Sequence, residues 1–213
     1  MDLILDHLTQ QLGKPTKGPW GWLVKRFLEK RNRFLEMNAV KLSDIQPESV
    51  VLEVGFGPGL GLLEAAKRLT HPRGKLYGLD YSEYMYDVAS RRLQADIQAG
   101  KVTLYLGSVE QIPLEDSMVD RVYHCNCYYF WPDLQAGSRE IYRVMKPGAL
   151  MVTTIDLQNL ERVVAAGVIK GTKWPPEPYM EVLRDTGFVD VRMEDKEERG
   201  RSFQAIFATA NKP

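Results

Sequence analysis

The stretch Val51-Leu52-Glu53-Val54-Gly55-Phe56-Gly57-Pro58-Gly59 decides the fold. Val50–Val54 is almost uniformly apolar, the pattern of a strand covered on both faces. Glycines then break the run, and Leu60–Leu69 resumes with helical spacing. A strand that turns through glycines into a helix sits where an open α/β sheet binds its ligand, beyond the carboxyl ends of its strands. There a ligand can lie against bare backbone, and the helix N-terminus offers amide donors and a partial positive charge. No Lys-Ser/Thr follows the glycines, which excludes a P-loop. The dinucleotide fingerprint G-x-G-x-x-G is met only loosely by Gly55, Gly57 and Gly59, with a further Gly61. Glu53, an acid inside the strand, fits poorly with a pyrophosphate site.

Outward from this turn, strands and helices alternate. Lys75–Leu79, Val102–Leu106, Val119–Cys127 and Ala149–Ile155 read as strands. Ser82 is placed to cap a helix whose Met85, Val88, Ala89, Leu93 and Ile97 line one face, and Gly100 to end it. Asp133–Met145 reads as a helix closed by Lys146-Pro147-Gly148. Strands separated by helices imply right-handed crossovers and a parallel sheet. After a helix around Tyr179–Thr186, Val189, Val191 and Met193 alternate with charged residues. A charged turn, Asp195–Arg201, leads straight into Ser202–Ala210, too short a link for a crossover helix. The expectation is an α/β fold with a seven-stranded sheet, parallel except for an antiparallel last strand, and helices on both faces.

Residues 1–48 read as an N-terminal helical extension covering the ligand site of a domain spanning 49–213, the whole forming one globular unit. Leu23, Val24, Phe27, Leu28, Phe34 and Leu35 fill one helix face. Lys25, Arg26, Lys30, Arg31 and Arg33 lie between them and read as a solvated face rather than a phosphate-binding one. Pro15, Gly18 and Pro19 separate this helix from a shorter one before it.

With 28 basic and 28 acidic residues among 213, the formal charge is zero, which argues against bulk electrostatic attraction to nucleic acid. No apolar run approaches the ~20 residues of a membrane span. The opening MDLILDHLTQQLGK carries acids where a signal peptide carries basic residues, so the expected location is cytoplasmic. Cys125 and Cys127 are too few for a disulfide framework, and His7, His71 and His124 too scattered for a metal site; two buried, reduced thiols are expected.

Asp80, ending the second strand about twenty residues beyond the glycines, is placed to accept hydrogen bonds from both ribose hydroxyls of a nucleoside. A turn glycine or a capping Asp explains either signal singly; together they point to a nucleoside-bearing ligand.

Five ordered segments make a more specific match. They are Glu53-Val54-Gly55-Phe56-Gly57-Pro58-Gly59, Gly78-Leu79-Asp80-Tyr81-Ser82, Leu106-Gly107-Ser108-Val109-Glu110-Gln111-Ile112-Pro113-Leu114, Asp120-Arg121-Val122-Tyr123 and Arg143-Val144-Met145-Lys146-Pro147-Gly148-Ala149. Over residues 38–155 the chain resembles the class I S-adenosylmethionine-dependent methyltransferases, whose fold is Rossmann-like with a reversed last strand. The resemblance implies S-adenosyl-L-methionine as cofactor. It implies that Gly55, Gly57 and Gly59 admit the methionine moiety, with Glu53 organising its ammonium end through the loop. It further implies that Asp80 binds the ribose, Tyr81 packs on the adenine, and Ser108 and Val109 border the adenine's other side. Many relatives carry an acid where Ser108 stands, and a hydroxyl accepts a weaker bond. Asn126 is implied nearest the sulfonium and the acceptor.

Methyl transfer from a sulfonium is an in-line displacement with a neutral thioether leaving, so alignment is the main task and no metal is needed. Asn126, His124 and Tyr128 are the catalytic candidates. His124 is a candidate general base, though a structural histidine is favoured. Tyr128, Tyr129 and Trp131, with Trp20 and Trp22 closing over them, are candidates for an acceptor pocket, against ordinary core packing. Asn126-Cys127-Tyr128-Tyr129 lacks the prolines of adenine-amino methyltransferases, and neither cysteine follows a proline as in cytosine-carbon enzymes. Asp156–Pro178 reads as a modest lid. The favoured acceptor is a small molecule attacked at O, N or S. A protein or peptide acceptor, a non-catalytic S-adenosylmethionine-binding or partner-binding protein, and a nicotinamide-dependent oxidoreductase stand behind it.

Overall fold

A computed structural model describes residues 2–169 and 173–212, with the side chains of residues 2–5 and 8 not described. Two helices, α1 (Asp2–Gly13) and α2 (Pro19–Leu42), precede β1 (Val50–Val54) and α3 (Leu60–Arg68). Next come β2 (Lys75–Asp80), α4 (Glu83–Arg92), α5 (Gln94–Gln98), β3 (Val102–Leu106) and β4 (Val119–Cys125). The chain ends with α6 (Leu134–Val144), β5 (Met145–Ile155), α7 (Leu157–Ala165), α8 (Pro176–Thr186), β6 (Phe188–Glu198) and β7 (Arg201–Ala210).

The seven strands run in the order β3-β2-β1-β4-β5-β7-β6. Only β7 is reversed, pairing antiparallel with both β5 and β6. Strand order changes direction between β1 and β4, so the loops leaving their carboxyl ends diverge and open a cleft. Strand alternation divides the core. Leu52, Val54 and Val122 face α6 and α8, meeting Ile141, Val144, Tyr179 and Leu183. Val51, Tyr123 and Val152 face the other way, onto Leu35, Ala39 and Val40 of α2 and Leu62, Ala65 and Ala66 of α3. Each of these is removed from water, and full burial of a Val, Leu or Ile among them contributes roughly 1.5–3 kcal/mol before entropy.

Several boundaries differ from the sequence expectation for local reasons. The fourth strand stops at Cys125 rather than Cys127, because Asn126 takes a left-handed backbone (φ 47°) and Tyr128–Phe130 coil into a 3-10 turn. The expected helix through Met145 ends at Val144, and β5 starts at once. Lys146-Pro147-Gly148 are taken up where the β4–β5 register shifts, a place that tolerates a proline with no donor. The helix expected to run from Ser82 to Gly100 breaks at Leu93 (φ −105°, ψ 16°), and α5 fully buries none of its residues. Ser82 does cap α4, accepting from the Met85 amide. The charged segment expected as a turn extends β6 to Glu198, with the reversal confined to Arg199 and Gly200, both left-handed. The lid segment carries α7, and its residues 170–172 lie outside the described residues.

Candidate functional site

At the carboxyl ends of β1, β2 and β4 lies a cavity of about 650 Å³, within the ~300–1,000 Å³ of ordinary small-ligand sites. Its floor is the glycine turn. Gly57 (φ 50°) has nothing within 4 Å of where a Cβ would stand, so bare backbone faces open space there. Gly59 (φ 80°) serves a different end. It does not line the cavity, and a Cβ on it would meet the Ala89 methyl of α4 at 2.9 Å, so its role is close packing.

Asp80 ties this floor together. One carboxylate oxygen accepts from the Gly57 amide and the other from the Ser82 amide, both at 2.8 Å. Each oxygen retains a second acceptor site for a ligand hydroxyl. Burial raises this carboxyl to about 6, with the Ser82, Gly57 and Tyr81 amides holding it down from a larger shift. Gly55, Tyr81, Ser108, Val109, Asn126, Tyr129, Trp131 and Trp20 line the same cavity, as the sequence led one to expect. The Ser108 hydroxyl accepts from the Glu110 amide at 3.3 Å. Lys14 sits over the Tyr81 ring at 5.0 Å.

Other expected residues stand elsewhere. Glu53 is buried behind the floor, accepting from the Tyr123 hydroxyl at 2.8 Å, and a Cβ on Gly61 would press on its carboxyl. Burial and the neighbouring Glu36 carboxyl raise it well above the usual range. His124 is fully buried away from the cavity. Its Nε2 shares hydrogen bonds with the Tyr179 and Thr153 hydroxyls, each at 2.8 Å, and burial lowers it to about 3. A ring with that environment stays neutral and has no access to a substrate, so the general-base candidate is a core histidine. Tyr128 is likewise buried off the cavity, donating to the Trp174 carbonyl at 2.6 Å and stacking on Tyr179 at 4.4 Å. Trp22 faces outward under Arg26 and does not line the cavity. Cys125 and Cys127 are free thiols, and burial pushes both above their ordinary range.

The other wall is α2, which sequence reasoning left as a cover. Val24, Leu28, Asn32 and Glu36, four apart and therefore on one helix edge, all face the cavity. The Asn126 amide donates to the Asn32 carbonyl oxygen at 3.1 Å, joining β4's end to α2. Glu36 is buried, and its Oε2 has no hydrogen-bond partner. Burial raises its carboxyl to about 8, against the pull of Arg92 and the Gly61 amide. The available signal was two polar residues, Asn32 and Glu36, continuing the line of an apolar stripe. Arg92 completes the frame, binding Glu29 of α2 at 2.6 Å while donating to the Pro58 carbonyl.

These groups suit a cationic nucleoside: an open glycine floor, a buried carboxylate with spare acceptor sites, and an orphaned carboxyl oxygen beside the cavity. Among the described residues no helix is long and apolar enough to cross a membrane, and no His/Cys/Asp/Glu cluster suits a metal ion.

Residues 52–153 match the family model described as a methyltransferase domain. An uncharacterized methyltransferase of Bacillus subtilis is 32% identical over 163 residues, covering 76% of this chain and 83% of that protein. A ubiquinone/menaquinone biosynthesis C-methyltransferase of Geotalea daltonii is 31% identical over 114 residues, 54% of this chain. The match spans 48% of that relative's own length. Among solved structures, an S-adenosylmethionine-dependent methyltransferase from Aquifex aeolicus superposes with a TM-score of 0.66 at 22% identity, over 87% of this chain and 96% of that one.

Proposed function

This chain belongs to the S-adenosylmethionine-dependent methyltransferases, and from that premise we propose that it methylates a small, largely apolar acceptor held between the glycine floor and α2. The observation that carries the reading is the cavity's composition. Apart from Asp80, Glu36, Asp156, Arg31 and a few small polar groups, its walls are aliphatic and aromatic, with Leu23, Val24, Phe27 and Leu28 from α2 facing Tyr129, Phe130 and Trp131. A polar peptide would leave many groups unpaired there.

S-Adenosylmethionine supplies the methyl group as an activated sulfonium. In this reading Asp80 accepts from the ribose hydroxyls, Gly55 and Gly57 admit the methionine backbone, and the orphaned Glu36 oxygen receives its ammonium. Tyr81, Ser108 and Val109 flank the adenine. Asn126, fixed by Asn32, positions the acceptor beside the reacting carbon, and Trp20 and Phe27 exclude water from it. Holding the reacting atoms in line is the largest contribution left to the protein. No general base is assigned, so an acceptor that keeps its proton through the attack, or loses it to solvent, fits best. Residues 1–48 act as cover to the methyltransferase domain, at a cytoplasmic site of action. The quinone relative, named a C-methyltransferase, supports adding a nucleophilic carbon to the O, N and S acceptors.

A screen with labelled methyl donor tests this, comparing apolar phenols, hydroquinones and amines with peptides of matched nucleophile content. Label should enter the apolar set. Transfer to peptides alone overturns the reading.

A further inference from the structure

The outward face of α2 exposes large apolar side chains beside cations. Trp20, Trp22, Leu23 and Phe27 are each between 45% and 53% exposed. Arg26, Lys30 and Arg33 are exposed among them, and Met37 continues the stripe. Positions 22, 26, 30, 33 and 37 recur at helical spacing, so cations and large apolar groups share one face. No exposed residue of α2 is acidic. Its two acids turn away: Glu29 binds Arg92, and Glu36 is buried against the cavity. A solvated face does not need four large apolar side chains, and a site for a polyanion alone would not gain by exposing them.

We propose that this face of α2 docks on an anionic phospholipid surface, with the helix lying in the plane of the interface. Trp, Leu and Phe side chains enter the boundary between headgroups and acyl chains, while Arg and Lys stems lie along it and carry their charge to the phosphates. Overall neutrality is no obstacle, because attraction to a charged surface falls off within a Debye length and is set by the local stripe. Trp20, Leu23 and Phe27 also line the cavity, so the inserted face is continuous with its wall. An apolar acceptor dissolved in the bilayer then reaches the site without crossing water.

Vesicle cosedimentation of the full chain tests this without reference to methyl transfer, so its outcome is separate from that of the acceptor reading. The chain should pellet with vesicles containing phosphatidylglycerol, release as salt rises, and bind far less to pure phosphatidylcholine. Arg26→Gln, Lys30→Gln and Arg33→Gln together should cost on the order of 10²-fold in affinity, at roughly fivefold per cation. These side chains lie outside the cavity, and thermal melting checks that the triple variant folds. Tryptophan fluorescence should be quenched by a lipid-borne quencher in the native chain. Failure to bind anionic vesicles at low salt, or equal binding by the triple variant, overturns the proposal. Tighter binding to a single-stranded oligonucleotide than to the vesicles also overturns it and makes this a nucleic-acid surface.

Discussion

Replacing Asp80 by Asn perturbs the proposed cofactor site at the point where floor and ligand would share one group. In the native protein both carboxylate oxygens are already engaged, by the Gly57 and Ser82 amides at 2.8 Å. An Asn side chain keeps one acceptor oxygen, and its NH2 must face the other backbone N–H. That buried donor is left unpaired, at a cost of roughly 1–3 kcal/mol, and melting should fall by about 2–4 °C for each kcal/mol. On the ligand side, two charge-assisted bonds of roughly 1.5–3 kcal/mol become neutral ones of about 0.5–1.5. The loss is about 2–3 kcal/mol, or on the order of 10²-fold in affinity. Acidity supplies a second signature. Burial lifts the carboxyl from 3.8 to about 6, whereas ribose hydroxyls need the carboxylate. Binding must therefore displace a proton below pH 6, and native affinity should fall about sixfold from pH 6 to pH 5. Calorimetry with S-adenosylhomocysteine across pH 5–8, beside thermal melts, measures both effects. A folded Asp80→Asn protein with undiminished affinity would refute the assignment, as would native affinity that ignores pH.

Four further outcomes follow from the same geometry. Burial raises Glu36 from 4.5 to about 8, so the folded apo protein holds a proton that the unfolded chain has released. Stability from this group is full below pH 4.5 and is lost as pH climbs through about 8; melting of the native protein should drop over pH 5–8 more than that of Glu36→Gln, and parallel curves would reject it. Asn126→Ala should lower turnover at saturating cofactor, while His124→Asn should cost roughly 1–3 kcal/mol of stability and leave the pH–rate profile unchanged. Loss of a rate limb near the histidine pKa, confined to the His124 variant, would restore it as the base. Gly59→Ala forces a methyl into the left-handed region and onto Ala89, at roughly 2–4 kcal/mol by denaturant unfolding; a cost under about 1 kcal/mol would show that α3 and α4 move apart freely.

Periodicity and turn chemistry carried the sheet well, because β1, β2, β4 and β5 lie inside it, between the edge strands β3 and β6, and glycines or capping residues punctuate them. Asp80 and the glycine turn were legible for a related reason: only a few residue types satisfy such a backbone and such a buried acceptor. The failures are tertiary. That β4 stops at Cys125 depends on Asn126 accepting a left-handed backbone, which no pattern in the strand announces. His124 and Tyr128 sit among aromatics in the chain, yet the inward face of β4 and the 3-10 turn send both toward Tyr179. The α2 wall was hidden because its amphipathic stripe reads equally as a core face. What distinguishes it is the destination of Asn32 and Glu36, known only once α2 is seen against β4 and α3. The end of β6, Asp195–Glu198, reads as a turn in the sequence because alternating charges on an edge strand look like a loop.

Arg92 links two parts of the site that are far apart in sequence, holding the Pro58 carbonyl of the floor and Glu29 of the extension in one guanidinium. Whatever settles the floor therefore also settles α2. Cofactor binding should slow hydrogen exchange at α2 amides around Glu29, and should tighten docking of α2 by the same factor by which docking tightens cofactor binding, since coupling between two sites is reciprocal. The two faces of α2 are then not independent. A chain resting on its docking surface would hold its cofactor more firmly than one free in solution, and would spend its methyl groups preferentially where acceptor is within reach.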